Sequence, residues 1–419
     1  MNTMESTGQR AERAILVGIS NDGRRRHFEE ESLRELEELT RSAGAQVAEV
    51  FLQEKSHPDP AYLVGSGKLE EIRDSVLSCQ ADVVLFDQEL TPAQLRNLEE
   101  FLGAKVIDRS ELILDIFAQR ARSREGKLQV ELAQLEYLLP RLAGRGLALS
   151  RLGGGIGTRG PGETKLEVDR RTIRVRISRI KGELERLEAR RALHRRKRQG
   201  IPIPTVSLVG YTNAGKSTLF NKLTDQGTYV SQRMFSTLDP LVRKIELDTG
   251  QEILLSDTVG FIRKLPHTLV AAFHATLEET LEADLILHVI DASQQSYRVL
   301  RQAVYEVLDE IGLEETPVLE AYNKIDLLDH VSLADTPYEH VFVSARTGEG
   351  LSELLGKIEF LINRNYRRVH LTIPFDRGEV VSQLRERARI QSQEYHEDGI
   401  HIQASLPLAD LGRYQQFVD

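Results

Sequence analysis

The chain has 419 residues, of which 40% are hydrophobic, enough for two to four domains with packed cores. Cys79 is the single cysteine, which excludes an internal disulfide and a thiolate zinc site and points to a reducing compartment. Lys and Arg number 55 against 64 Asp and Glu, a net charge of −9 that speaks weakly against nucleic-acid binding unless the charge is unevenly spread.

No stretch reaches the roughly 20 apolar residues of a membrane span, and the N-terminus lacks the apolar region of a signal peptide, so the expected location is the cytoplasm. Residues 1–108 alternate apolar runs ("AILVGIS", "AQVAEVFL", "ADVVLFDQ", "AKVIDR") with helical segments ("SLRELEELTRSAG", "TPAQLRNLEEFLG"). This pattern predicts a small α/β domain with a largely parallel sheet. Within it "GSGK", Gly65–Lys68, resembles half a phosphate loop. Tyr62 stands where the first glycine belongs and Leu69 where a Ser or Thr would hold magnesium, so it reads as a glycine turn before a helix.

Residues 109–199 predict an antiparallel helical hairpin. Leu128, Leu132, Leu135, Leu139 and Leu142 are spaced 4-3-4-3, and Ile173, Ile177, Ile180, Leu184 and Leu187 repeat the spacing. The interval between them, residues 143–162, is read as a tip loop with eight glycines, three arginines (Arg145, Arg151, Arg159) and no acid. Helix connections run to about 8 residues, so this loop is too long to be only a turn. Glu163–Gln199 carries fourteen Lys or Arg against six acids, so the overall −9 conceals a cationic limb. A basic helix is ordinarily a solvated face. Joined to a glycine and arginine tip it reads as a nucleic-acid probe, and "GIPIPT" is a hinge into the next domain.

Residues 203–366 predict a GTP-binding domain of doubly wound, mostly parallel sheet. "TVSLVGYTNAGKSTLF" is a strand, a loop Gly210, Tyr211, Thr212, Asn213, Ala214, Gly215, Lys216, Ser217, Thr218, and a helix. That order lets backbone N–H groups curl round a β-phosphate, Lys216 reach the β- and γ-phosphates, and the Ser217 hydroxyl ligate Mg2+. "ILLSDTVG" ends a strand at Asp257, a second magnesium-shell candidate, followed by Thr258, Val259 and Gly260, whose N–H can touch the γ-phosphate. "NKID" supplies Asn323, Lys324, Ile325 and Asp326. The Asp326 carboxylate can accept both donors of guanine, a pair adenine lacks. Ser344, Ala345 and Arg346 place a backbone N–H near guanine O6. Between these motifs Phe235, Ser236, Thr237, Leu238 and Asp239 form a candidate switch loop, with Thr237 completing the magnesium shell.

The catalytic candidates are Lys216, Thr237, Gly260 and Asn213. Phe261 follows "DTVG" where a water-orienting glutamine is common, so slow intrinsic hydrolysis is expected, dependent on a partner or a monovalent cation. Asn213 is placed like the asparagine that helps coordinate potassium in several cation-dependent GTPases, which makes it a candidate K+ ligand. A side chain bonding within its own loop is the equal alternative. Residues 367–419 read as strand, helix, strand, a small α/β appendage without nameable chemistry.

Together "LGGGIGTRGPGETKLEVDRR", "VGYTNAGKSTLFN", "FSTLDP", "DTVGFIRKLPH", "NKID" and "VSARTGEG" resemble the bacterial HflX-family GTPases over nearly the whole chain. The resemblance implies a cytoplasmic, partly ribosome-associated protein, monomeric when free, that binds GTP and GDP and docks on the large (50S) ribosomal subunit. It further implies that the tip loop touches ribosomal RNA, that ribosomes stimulate the GTPase, and that idle or stalled ribosomes are split. Two other readings stay open: a GTP-dependent assembly or RNA-remodelling factor, and a GTP switch on a protein complex without RNA.

Overall fold

The structure, a computed structural model, describes residues 11–21, 26–150, 165–198, 203–224, 241–264, 283–310, 312–313, 316–328, 336–364 and 366–419. Two compact units divide the chain. The first comprises Met1–Leu184, Gln232–Ser236 and Arg263–Phe273, and the second comprises the remainder.

The first unit is built on four parallel strands, β1 (Arg13–Ser20), β2 (Gln46–Glu54), β3 (Val83–Phe86) and β4 (Lys105–Asp108), in the order β2-β1-β3-β4. The central strands read as continuous apolar runs because both faces are covered, the rule for parallel sheets. Helices α1 (Arg26–Ala43), α2 (Ser66–Cys79), α3 (Pro92–Leu102) and α4 (Arg109–Arg120) complete the layers. Gly65 is the residue before α2, so "GSGK" is the start of a helix. Helix α3 is set by its own sequence: Thr91 and Gln94 form a reciprocal capping box, Pro92 fits the first turn, and Gly103 closes the far end in the left-handed region.

A buried charge cluster sits at the carboxyl end of β3. Arg109, 1% exposed, pairs with Asp87 at 2.7 Å and Glu35 at 2.9 Å. Ser32 donates to the same Asp87. Arg263 and Lys264, which group with this unit, pair there with Glu31 and with Glu29 and Asp87 respectively. Burial alone would raise the Asp87 carboxyl. Arg109 and Lys264 outweigh it and hold the group below the usual carboxylate range.

Helices α5 (Arg124–Ser150) and α6 (Lys165–Arg198) are linked by the pairs Arg124–Glu183 and Glu131–Arg176, whose order is that of antiparallel helices, while Glu136–Lys181 departs from that order. Ile180 is fully buried and Leu128 and Leu132 are buried. Helix α5 also packs on α3 and α4, and Tyr137 and Arg141 bond Asp108 at the start of α4. One expectation is corrected. The tip does not begin at Ala143, because α5 continues as helix to Ser150; Arg145, Leu147, Ala148 and Leu149 are good helix formers that offset the cost of Gly144 and Gly146. The remainder of the expected tip, 151–162, lies outside the described residues.

The second unit holds six strands, β5 (Thr205–Gly210), β6 (Leu241–Glu246), β7 (Glu252–Asp257), β8 (Leu285–Asp291), β9 (Val318–Asn323) and β10 (Glu339–Phe342), in the order β10-β9-β8-β5-β7-β6. All pairings are parallel except β6 with β7. Helices α7 (Lys216–Leu223), α8 (Tyr297–Glu310) and α9 (Leu351–Asn363) accompany them. A three-stranded antiparallel sheet follows, β11 (Tyr366–Ile373), β12 (Arg389–His396) and β13 (Gly399–Pro407), ordered β11-β13-β12, with α10 (Gly378–Arg387) and the short α11 (Leu411–Tyr414). The distal segment, read as one strand, is a hairpin because the turn before Gly399 folds it back. Gly399 has φ +149, and a Cβ there would meet the Ile373 carbonyl at 2.7 Å. Among the described residues no helix is long and apolar enough to cross a membrane.

Candidate nucleotide site

The carboxyl ends of β5, β7, β8 and β9 gather the predicted motifs. Strand β5 delivers the chain into the phosphate loop, and two glycines make the turn sterically possible. A Cβ on Gly210 (φ +147) would lie 2.2 Å from the Val289 carbonyl, and one on Gly215 (φ +95) would lie 2.3 Å from Asn323 Nδ2. Asn213 is exposed at the crest, itself in the left-handed region at φ +63. Helix α7 begins at Lys216, so its free N–H groups face the loop.

Lys216 is buried, and its Nζ donates to the carbonyls of Gly210 at 2.9 Å and Tyr211 at 2.8 Å. Burial lowers its pKa to about 8, against the opposing pull of Asp257. Ser217 Oγ donates to Asp257 Oδ2 at 2.7 Å. One hydroxyl and one buried carboxylate thus meet at the mouth of the loop, a hard-oxygen pair of the kind Mg2+ uses beside phosphate oxygens. Thr258 is turned away and donates to the Leu208 carbonyl. Gly260 has no room for a side chain: a Cβ would stand 2.9 Å from Lys216 Nζ and 2.8 Å from Thr212 Cγ2.

The base-reading segments are joined by one amide. Asn323 Nδ2 donates to the Ala214 carbonyl at 2.8 Å, and its Oδ1 accepts from Ala345 N at 2.9 Å. Lys324, at φ +67, pairs with Asp291 at 2.7 Å. Asp326 accepts from the Ser344 hydroxyl at 2.6 Å and pairs with Arg346 at 2.9 Å. These contacts orient the Asp326 carboxylate while leaving lone pairs for two ligand donors. Ile325 is buried behind it. Thus Gly210–Thr218, Asp257–Gly260, Asn323–Asp326 and Ser344–Arg346 converge. Phe235, Ser236, Thr237, Leu238 and Asp239 lie outside the described residues.

Three features were not read from the sequence. Phe261, noted only for what it lacks, is buried and forms a parallel bridge with Tyr211. Asp291 holds Lys324, and its signal was the "VID" that ends an apolar run. His288, fully buried on β8, is pushed down to about 3, first by burial and then by Arg301 and Lys216.

A mostly parallel sheet with a phosphate loop, an Asp-x-x-Gly and an Asn-Lys-x-Asp at neighbouring strand ends defines a phosphate-loop GTPase. Four family models match in succession: GTP-binding GTPase N-terminal over 30–118, GTP-binding GTPase Middle Region over 120–198, 50S ribosome-binding GTPase over 205–324, and HflX C-terminal domain over 330–411. GTPase HflX of Caldanaerobacter subterraneus subsp. tengcongensis is 48% identical across 99% of this chain and 96% of its own length, and GTPase HflX of Escherichia coli K12 is 47% identical across 91% of each. A GTP-binding protein of Sulfolobus solfataricus, solved with GDP, is 26% identical, covering 84% of this chain and 99% of its own, with TM-score 0.46. The chain belongs to the HflX family of GTPases. It is a nucleotide-binding enzyme that hydrolyses GTP and carries the 50S ribosome-binding GTPase domain.

Proposed function

We propose that this GTPase docks on the large ribosomal subunit in its GTP state and uses binding and hydrolysis to split idle or stalled ribosomes, working in the cytoplasm as a monomer when free. The observation that carries the reading is the pairing of a ribosome-binding GTPase domain with the long, strongly basic helix α6. In this reading α6 and the tip segment 151–162 meet ribosomal RNA, their arginines neutralising phosphates.

The roles in hydrolysis follow from the chemistry. Lys216 leaves its own loop carbonyls for the β- and γ-phosphates, and the Gly260 N–H reads the γ-phosphate. Ser217, Asp257 and Thr237 would hold Mg2+, which supplies charge neutralisation on the phosphate oxygens. Asp326 selects guanine, with Lys324 along the base and the Ser344–Arg346 loop at O6. Phe261 carries neither acid–base nor water-orienting chemistry, so a fast rate requires an added element. That element is a ribosomal group, or K+ held with the help of Asn213. Equal hydrolysis rates in potassium and sodium remove the cation.

Sedimentation through sucrose tests the reading. Comigration with 50S subunits is expected with GTP or a non-hydrolysable analogue and loss of it with GDP, together with depletion of intact 70S ribosomes. Equal comigration in every nucleotide state overturns the coupling. Binding without depletion favours an assembly role. Deletion of residues 153–160 is expected to spare GTP affinity and weaken subunit binding.

A further inference from the structure

The C-terminal sheet carries a cavity of about 660 Å3 that plays no part in nucleotide binding. One wall is β11, contributing Arg367, Arg368 and His370; the other is the terminal turn, contributing Leu411, Gln415 and Asp419. Strand β11 is the edge of its sheet. Neighbouring residues on a strand point to opposite faces, so Arg367 lies on the face of the buried Val369 and Leu371 while Arg368 and His370 lie on the other. The cavity wraps the edge where the faces meet.

Both arginines and His370 are exposed, and none of the three makes a side-chain hydrogen bond or ion pair with a described residue. In α10 and the turn before it, Arg385 donates to Gln393 and Arg377 faces Glu379. The one acid in the lining, Asp419, accepts from the Thr372 hydroxyl at 3.1 Å. The two guanidinium groups, leaving opposite faces of the strand, flank the cavity at the sheet edge and raise the positive potential there. Guanidinium forks fit phosphate oxygens in paired hydrogen bonds.

We infer that this cavity is an anion-binding site that takes a backbone phosphate of RNA, a second contact with the particle proposed above and dependent on that reading for the identity of the RNA. An acidic peptide fits less well. Peptides add to sheets along an open edge, and here the edge is occupied, since Leu371 bridges Val418 and Asp419 N donates to the His370 carbonyl.

The test has two arms. In the first, full-length protein with excess GDP filling the phosphate loop, and no divalent metal, is titrated calorimetrically with inorganic pyrophosphate. Wild type is expected to bind, R367Q/R368Q at least tenfold more weakly, and R367K/R368K in between, with unchanged basal GTP hydrolysis confirming that the variants fold. Equal binding by wild type and R367Q/R368Q overturns the site. The second arm measures 50S association against salt. Each lost phosphate contact lowers the slope of log K on log salt by about 0.7 to 0.9, so the double variant is expected to lose one to two. An unchanged slope with lost pyrophosphate binding overturns RNA in favour of an acidic protein segment. If wild type fails to bind 50S particles in any nucleotide state, the proposed function falls, and the pyrophosphate arm still decides the cavity.

Discussion

The amide of Thr212 donates to the Phe261 carbonyl at 2.7 Å, and the amide of Phe261 returns a bond to Gly210 at 3.1 Å. The segment after Asp-x-x-Gly is thereby sewn to the phosphate loop through main chain. Its aromatic ring is buried with Val209, Tyr211 and Ile286. A side chain with no part in water activation thus has a reason to be there: it anchors the strand end that presents Gly260.

Gly260→Ala follows from that geometry. The new methyl would press on Lys216 Nζ at 2.9 Å and Thr212 Cγ2 at 2.8 Å. Because Thr212 belongs to the loop backbone, relief requires the Phe261 bridge to open. Hydrolysis and GTP affinity are each expected to fall more than tenfold, with about 1–3 kcal/mol lost in stability, read by fluorescent-nucleotide binding and denaturant unfolding. Wild-type affinity in the variant would show that the loop moves freely.

Asn323→Ala removes both bonds of the amide that joins Ala214 to Ala345. Each bond is worth about 0.5–1.5 kcal/mol net, more when a buried partner is stranded. A loss of about 1–3 kcal/mol in the nucleotide-free protein is expected by urea unfolding, with guanine nucleotide affinity reduced beyond what the stability loss explains.

Asp326→Asn replaces an acceptor with a group that also donates. GTP affinity is expected to fall at least a hundredfold, because stranded polar groups discriminate strongly. Xanthosine triphosphate, which carries a carbonyl where guanine carries an amine, should gain. Competition binding with the two nucleotides checks both halves.

Lys216 gives the apo protein a pH signature. Its folded pKa of about 8 lies below the ordinary 10.5. Above pH 8 the folded state has released a proton that the unfolded chain still holds, so stability should rise between pH 8 and 9.5, by about 1.4 kcal/mol per pH unit at most. Lys216→Met should lack that slope in urea unfolding at the two pH values.

His288 acts at the other end of the scale. The folded group stays neutral to about pH 3 while the unfolded imidazole takes a proton near 6.5. Its stabilising contribution is full above 6.5 and falls as the pH drops below it, again by about 1.4 kcal/mol per unit at most. Unfolding at pH 7 and pH 5 should show the loss, and His288→Leu should flatten it.

The nucleotide site was legible because its parts are short and local: Gly210 and Gly215 are forced by backbone approach, and Asn323 to Asp326 sit at a strand end. What stayed hidden depends on residues far apart in sequence. Nothing near Arg109 announces Asp87 or Glu35, and nothing in "DTVGF" announces that Phe261 would bond to Gly210. The apolar spacing of α5 and α6 was readable, yet the same spacing could not say that α5 also covers α3 and α4. Ala143–Ser150 is helix in spite of Gly144 and Gly146 because Arg145, Leu147, Ala148 and Leu149 favour the helix, a balance that glycine content alone does not show.

Strand order has one more consequence. Strand β5 is flanked by β7 and β8, and β9 stands next to β8, so phosphate recognition and base recognition ride on four contiguous ribs of one corrugated plate. A defect in any rib would tilt its neighbours, and damage far beneath the ligand should surface first as a slower turnover rather than as an unfolded chain.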